Sequence, residues 1–75
     1  MSDKKHRMRA IKLILKEVGG VAKLRDLINE KTPLGPVRYE RVQQWQHIGI
    51  PAVYLPWMAR RLGIKQKDLH PKMFP

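Results

Sequence analysis

Residues 21–48 read VAKLRDLINEKTPLGPVRYERVQQWQHI, and this stretch decides how the chain folds. In its first third, apolar residues recur at three- and four-residue intervals, which predicts an amphipathic helix. These residues are Val21, Leu24, Leu27 and Ile28. The segment from Lys31 to Pro36 holds two prolines and a glycine, which end that helix and force a turn. A second helix then begins at Pro36 or Val37 and covers about residues 37–48, because proline is tolerated in a first helical turn.

The apolar edge of this second helix is narrow. Val42, Trp45 and Ile48 stand three residues apart, and most of the remaining side chains are polar or charged. A helix that only covered a core would carry a wider apolar stripe. A short helix, a tight turn and a second helix with one narrow apolar edge are typical of the helix-turn-helix arrangement, whose second helix enters the major groove of DNA. Trp45 is therefore expected in the core rather than as a platform for base stacking.

The polar side of the second helix carries the side chains that base edges require. A major groove about 12 Å wide admits one helix, and there arginine pairs with guanine while glutamine pairs with adenine. Both residue types are present, as Arg38, Arg41, Gln43, Gln44 and Gln46. A solvated polar surface is the alternative for these residues. Their position after a turn, on a strongly basic chain, favours recognition.

Two further helices are predicted, one on each side of this unit. Their apolar stripes are Met8, Ile11, Ile14, Leu15 and Val18 in the first, and Leu55, Met58, Ala59 and Leu62 in the last. Gly19-Gly20 and Gly63 stand where glycine commonly caps the C-terminus of a helix. Residues 65–70 have room for one more short turn of helix. Because no alternating β pattern appears, the predicted fold class is all-α, a small bundle of four or five helices.

The composition describes one small, strongly basic domain. The chain has 75 residues, of which 43% are hydrophobic, so it can fold rather than stay disordered. We assign residues 1–75 to a single domain, with residues 1–6 as a frayed arm and residues 69–75 as an irregular tail. The 16 Lys and Arg against 6 Asp and Glu leave a net charge of +10. An excess of this size indicates a polyanionic partner.

The residue inventory argues against whole classes of chemistry. The chain has no cysteine, and its three histidines stand far apart in sequence, so no metal or cofactor is expected. Paired carboxylates and a glycine-rich phosphate loop are both missing, so the chain is not predicted to be an enzyme. Its most apolar window is far shorter than the roughly 20 residues that span a bilayer, and no secretory signal is visible. A cytoplasmic protein without a membrane partner is the expectation.

The stretch from Ile11 to Pro75 also resembles a known family. Four features carry the resemblance: Gly19-Gly20 before the second helix, Val42-Gln43-Gln44-Trp45 late in the third, Gly49-Ile50-Pro51-Ala52 entering the fourth, and the tail Leu69-His70-Pro71-Lys72-Met73-Phe74-Pro75. They are similar to those of the small Cro-type helix-turn-helix repressors of phages, and particularly of the related YdaS group of predicted antitoxins. The resemblance implies a bundle of the lambda-repressor type that works as a dimer on a palindromic operator, in a bacterial cell or a phage-infected host.

The resemblance also implies where DNA would lie. When the recognition helix is anchored on Val42 and Trp45, its expected core residues, the base-facing positions of the family fall on Arg38, Tyr39, Glu40, Gln43, Gln44 and His47. Arg41 lies at the edge of this surface, where it would reach a phosphate. The start of the second helix and the turn hold Lys23, Lys31 and Thr32, where the helix dipole and backbone N–H groups favour phosphate contacts. The alternative for these three residues is that they are ordinary surface residues with no ligand.

Three functions are compatible with the sequence. The first, which we favour, is a repressor that reads a pseudo-palindromic operator in double-stranded DNA as a homodimer, with Tyr54, Trp57 and Phe74 as candidates for the dimer interface. The second is an antitoxin that binds a toxin protein and regulates its own operon, for which the apolar tail around Met73 and Phe74 would be the partner site. The third is a small basic protein that binds RNA or the ribosome, which explains the charge but not the narrow-edged helix.

Overall fold

The computed structural model describes residues 3–69, except for the side chains of Asp3 and Gln66. All regular structure in this range is helical. Five α-helices follow one another: α1 (Asp3–Val18), α2 (Val21–Lys31), α3 (Tyr39–Ile48), α4 (Leu55–Leu62) and α5 (Gln66–Leu69). A 3₁₀ turn, Ala52–Tyr54, precedes α4. The predicted all-α class is confirmed, and no strand occurs within residues 3–69.

The core forms around α1, which contacts each of the other four helices. Its buried apolar side chains come from every helix and from the α3–α4 connection: Ala10, Ile11, Ile14, Leu24, Ile28, Val42, Trp45, Ile50, Tyr54, Leu55, Met58, Ala59 and Leu69. The apolar periodicity of α1, α2 and α4 therefore predicts the inward side of each helix correctly. The same pattern predicts Ile48 in the core, and this is wrong, because Ile48 is 50% exposed. The chain turns at the end of α3, and Ile50 points inward instead.

The first turns of α1 pack against the segment that follows α3. The expected frayed arm is wrong for residues 3–6, which belong to α1. His6 is buried, and the backbone N–H of Ile50 donates a hydrogen bond to the Arg7 carbonyl at 3.4 Å. These contacts stabilise a helix start that local sequence alone would leave frayed. Residues 1–2 lie outside the described part of the chain.

The predicted C-terminal ends of two helices are confirmed. α1 and α4 end immediately before Gly19 and Gly63, respectively. The expected irregular tail is wrong for Leu69, which is the last residue of α5 and is buried in the core. The helix α5 packs against α1, and the burial of Leu69 extends the core to this end of the described chain. Residues 70–75, and with them the candidate toxin-binding site, lie outside the described residues.

The helix α3 begins later than predicted, at Tyr39, because the segment before it is held extended. The Asn29 side chain accepts a hydrogen bond from the Val37 N–H at 2.7 Å and donates one to the Val37 carbonyl at 3.1 Å. This pair of bonds resembles one rung of a β ladder and engages both backbone groups of Val37 outside a helix. Arg38 follows as the N-cap residue in an extended conformation, with φ −95° and ψ 157°. Gly35 provides the space, since a Cβ there would lie 2.6 Å from Asn29 Oδ1.

Replacing Asn29 by alanine removes both bonds to Val37, and we expect the free energy of unfolding to fall by about 1–2 kcal/mol. Asn29 is exposed, so water replaces part of the lost bonding and keeps the loss within this range. Urea unfolding followed by circular dichroism measures the change. Glu30→Ala is the matched control, because Glu30 is an exposed neighbour on α2 that takes no part in these bonds. Equal stability of the two variants would contradict a structural role for Asn29.

Candidate nucleic-acid interface

One side of α3 faces solvent, while Val42 and Trp45 are buried on the other. The exposed side carries four residues spaced as i, i+3, i+4 and i+7, which places them on a single stripe of the helix. They are Glu40, Gln43, Gln44 and His47, and together they line one shallow depression of about 250 Å³. We call these four residues the α3 face.

The α3 face has its polar groups available for a ligand. None of its four side chains makes a hydrogen bond or an ion pair within residues 3–69. Each glutamine offers an amide that both donates and accepts, whereas the Glu40 carboxylate only accepts. Such groups match base edges in a major groove, where glutamine pairs with adenine and glutamate accepts a hydrogen bond from the cytosine amino group. The arrangement is therefore chemically able to read bases.

The structure brings four of the six predicted base-facing residues together on the α3 face. The other two stand where the helix begins, since Arg38 is the N-cap residue and Tyr39 is the first helical residue. Both are exposed, Tyr39 by 39% of its surface. Tyr39 precedes Gln43 by about one helical turn, so it extends the same side of the helix. Gln46 is partly buried and lies off this stripe.

A larger groove of about 660 Å³ adjoins the α3 face, with which it shares two lining residues. Arg38, Arg41 and Tyr54 also line it, and we call it the Arg–Tyr groove. The Tyr54 ring packs against the indole of Trp45, with ring centroids 4.8 Å apart and planes tilted by 50°. Burial raises the pKa of Tyr54, and the Arg41 guanidinium opposes this rise by favouring the phenolate. The phenol and the guanidinium therefore lie within electrostatic reach of each other.

Tyr54 is a site residue that sequence reasoning misses. The aromatic content of the chain predicts it at a dimer interface, whereas the structure buries it within the domain beside Arg41. The two residues belong to different elements, the 3₁₀ turn and α3. Periodicity relates residues only within one element. A tyrosine soon after the helix-ending Gly49 marks a connection next to α3, but it does not show which side chain the tyrosine meets.

The predicted phosphate contacts fall into two groups. Lys23, Lys31 and Arg41 are exposed cations, as a phosphate contact requires. Thr32 is different, because its hydroxyl donates to the Ile28 carbonyl at 2.8 Å and accepts from a backbone N–H of the turn at 3.2 Å. A hydroxyl has one proton, and a phosphate can only accept a hydrogen bond. The structure therefore corrects the expectation for Thr32, which caps the C-terminus of α2 instead.

The aromatic and apolar residues near α3 have contrasting surroundings. Trp45 is 2% exposed, which confirms its predicted place in the core. Trp57 is partly buried, and the Arg60 guanidinium carbon lies 5.7 Å from the centroid of its ring. By contrast, Ile48 and Val53 are 50% and 58% exposed. Ile48 is the last residue of α3, and Val53 belongs to the 3₁₀ turn that follows.

Comparison of the chain with protein-family models, with curated proteins and with solved structures found no match. The resemblance to Cro-type repressors therefore depends on the quoted motifs alone. Within residues 3–69, no helix combines the length and the apolar character needed to cross a membrane. In the same range, no three His, Asp or Glu side chains come together as ligands for a metal ion.

Proposed function

We propose that the protein is a helix-turn-helix transcriptional repressor that binds double-stranded DNA sequence-specifically through α3. The α3 face is the observation that carries this proposal. Its four polar side chains lie on one exposed stripe, and their hydrogen-bonding groups have no partner within the described residues. A helix that lies in the major groove presents such a stripe to the base edges.

The connection between α2 and α3 supports the helix-turn-helix assignment. The two helices pack against each other, and each is anchored in the core by its own buried residues. The bonds between Asn29 and Val37 tie the end of α2 to the segment that leads into α3. Base reading requires a recognition helix that is held at a fixed angle by the rest of the domain. The paired bonds and the shared core provide such support.

In this proposal the polar residues have two roles. The bases are read by Arg38, Tyr39, Glu40, Gln43, Gln44 and His47. Phosphates are bound by Lys23, Lys31 and Arg41, which position the protein without reading sequence. Glu40 contributes discrimination, because its carboxylate accepts a hydrogen bond from cytosine and is repelled by nearby phosphates. The net charge of +10 adds attraction for any duplex and speeds the encounter.

The proposed active form is a homodimer on a pseudo-palindromic operator. Two copies related by a two-fold axis would place their α3 helices in successive major grooves, about 34 Å apart. Ile48 and Val53 support a pairing surface beside α3, because these large apolar side chains are 50% and 58% exposed. A second copy of the chain would remove them from water.

Double-stranded DNA is a better partner for this domain than single-stranded RNA or DNA. Proteins that bind single strands stack the bases on exposed aromatic rings. Trp45 is 2% exposed and Tyr54 is 8% exposed, so neither of these rings is open to a base. Tyr39, 39% exposed, is the single exposed tyrosine or tryptophan ring of α3, whereas a single-strand platform stacks successive bases on several. Binding in the major groove of a duplex requires instead an exposed helix with polar side chains, and the α3 face has these side chains.

Selection of bound duplexes from a random pool at about 150 mM salt tests the proposal, because non-specific attraction is screened at that ionic strength. We expect a palindromic consensus with half-sites separated by one turn of DNA. Competition of the selected duplex with a structured RNA at the same salt concentration is the control for nucleic-acid class. A pool that yields no enriched sequence, or an RNA that competes better than the duplex, would refute the proposal.

Replacing Gln44 by alanine is expected to weaken binding to the selected operator by about 1–3 kcal/mol and to relax the preference at one base position. Lys23→Ala is the matched contrast, since loss of a phosphate contact weakens operator and random duplex by the same factor. Anisotropy titrations of both variants on the operator and on a scrambled duplex measure these changes. Equal losses on both duplexes for Gln44→Ala would exclude Gln44 from base reading.

A further inference from the structure

The Arg–Tyr groove is lined by a tyrosine, Tyr54, whose hydroxyl has no hydrogen-bond partner in the described chain. Tyr54 is 8% exposed, and its hydroxyl makes no hydrogen bond within residues 3–69. Its ring is held by Trp45, so the hydroxyl cannot easily turn away. The hydroxyl is not among the fully buried polar atoms of the described residues, so it stays accessible from the groove. It is therefore free to donate a hydrogen bond to a ligand atom there.

Two cations stand at the N-terminal end of α3, where the helix dipole disfavours positive charge. Arg38 is the N-cap residue, Arg41 lies in the first turn, and both line the groove. Neither makes an ion pair within residues 3–69. N-cap positions favour Ser, Thr, Asp or Asn, and no side chain caps α3. An anion in the groove would compensate both the two arginines and the uncapped helix end.

We infer that the Arg–Tyr groove binds a phosphate group, with the Tyr54 hydroxyl as hydrogen-bond donor and the Arg38 and Arg41 guanidinium groups as charge partners. In this inference Arg38 contacts the DNA backbone instead of a base. Phosphate oxygens accept hydrogen bonds, and all three of these groups donate. Glu40 is the one carboxylate among the described residues that line the groove. With two arginines against one glutamate, the lining of the groove has a net positive charge. The source of the phosphate rests on the proposed function, and we assign it to the DNA backbone beside the major groove.

The groove suits a phosphate better than a nucleic-acid base or an apolar ligand. Trp45 and Tyr54 are 2% and 8% exposed, so no ring face is open for stacking. Burial raises the pKa of Tyr54, which keeps the proton on the hydroxyl at neutral pH and makes it a donor. The guanidinium groups of Arg38 and Arg41 supply further donors and the positive charge. The donors and the charge are therefore both present when DNA binds.

A titration with inorganic phosphate tests the site without DNA. The chain has two tryptophans, so Trp57→Phe leaves Trp45, which contacts Tyr54, as the single fluorescent indole. In that background we expect phosphate, exchanged against chloride at constant ionic strength, to change the Trp45 fluorescence in a saturable way. Tyr54→Phe and Arg41→Gln should each lose the response. Arg60→Gln makes the same chemical change as Arg41→Gln outside the groove and should keep the response.

A second arm uses the selected operator and a random duplex. Tyr54→Phe removes one hydrogen bond to a charged oxygen, so we expect affinity to fall about tenfold per copy on both duplexes alike. The salt dependence of binding should stay unchanged, because tyrosine carries no charge. Arg41→Gln should weaken binding and also reduce the salt dependence. Thermal unfolding establishes whether each variant is folded. If Tyr54→Phe does not fold, the result for Arg41→Gln alone decides whether the groove binds phosphate.

Each outcome of the two arms decides the inference. A saturable phosphate response that Tyr54→Phe and Arg41→Gln abolish supports the site. The same response in all variants, or none in the parent, overturns it. If the site is supported but Tyr54→Phe leaves DNA affinity unchanged, the phosphate belongs to a free phosphorylated ligand rather than to DNA. If the parent binds no duplex, the proposed function fails while the phosphate titration still decides the site.

Discussion

Raising the salt concentration from about 50 to 200 mM is expected to lower the affinity for operator DNA by about 10³ to 10⁴. Lys23, Lys31 and Arg41 in two copies would neutralise about six phosphates, and Arg38 would raise this to about eight. Each contact releases a counterion from the duplex, so the logarithm of affinity falls in proportion to the logarithm of salt concentration. Anisotropy titrations at four salt concentrations should give a slope of about −5 to −7.

Two variants show which residues produce this slope. Lys23→Ala removes one phosphate contact from each copy, so a dimer should lose about two units of slope. Gln44→Ala changes no charge, so its line should run parallel to that of the parent at lower affinity. A slope near zero in the parent protein would mean that phosphates are not the main contact. A shallower slope for Gln44→Ala than for Lys23→Ala would contradict the assigned roles.

Replacing Gly49 by alanine should have the largest effect on stability, a loss of about 2–4 kcal/mol. Gly49 has φ 91° and ψ 147°, a backbone conformation that residues with a Cβ rarely adopt. An added Cβ would also lie 2.9 Å from the Cβ of Arg7, where α1 packs against the end of α3. The chain must therefore move at the contact that orients α3. Total stability of a small domain is only about 5–15 kcal/mol, so urea unfolding will show the loss clearly.

Gly63→Ala is the matched control for Gly49→Ala. Gly63 also has a positive φ, 69°, but it lies in the left-handed helical region and an added Cβ would meet nothing within 4 Å. We expect it to lose about 1–2 kcal/mol from the backbone conformation alone. The difference between the two variants measures the close approach of α1 and α3 together with the less favourable backbone conformation of Gly49. Equal losses would mean that neither of them adds to the cost.

The elements of the fold are largely predictable from local pattern. Leu24 and Ile28 in α2, and Met58 and Ala59 in α4, repeat at helical spacing and are buried as expected. The failures lie at ends of elements. Ile48 continues the three-residue spacing of α3 but is exposed. The chain turns at Gly49, directly after Ile48, and Ile50 is the residue that is buried there. Helical periodicity describes a regular helix and carries no information about where the chain leaves it.

The start of α3 shows why a boundary can escape local reasoning. Proline and valine at positions 36 and 37 are compatible with a first helical turn, so the sequence predicts a helix there. In the structure, the Asn29 side chain bonds both backbone groups of Val37 and holds it extended. The partner lies on the preceding helix. A side chain that competes with helical hydrogen bonds from another element cannot be recognised from the segment itself.

The sequence by itself determined the all-α class, the inward side of most helices and the basic character, which follow from composition or from spacing within one helix. The family resemblance added the expected positions of Glu40, Gln43, Gln44 and His47. Only the tertiary structure decided that α3 begins at Tyr39, that the hydroxyl of Thr32 caps α2, and that Tyr54 stands beside Arg41. These are contacts of particular atoms at turns or between elements, and they depend on chain geometry that residue periodicity does not encode.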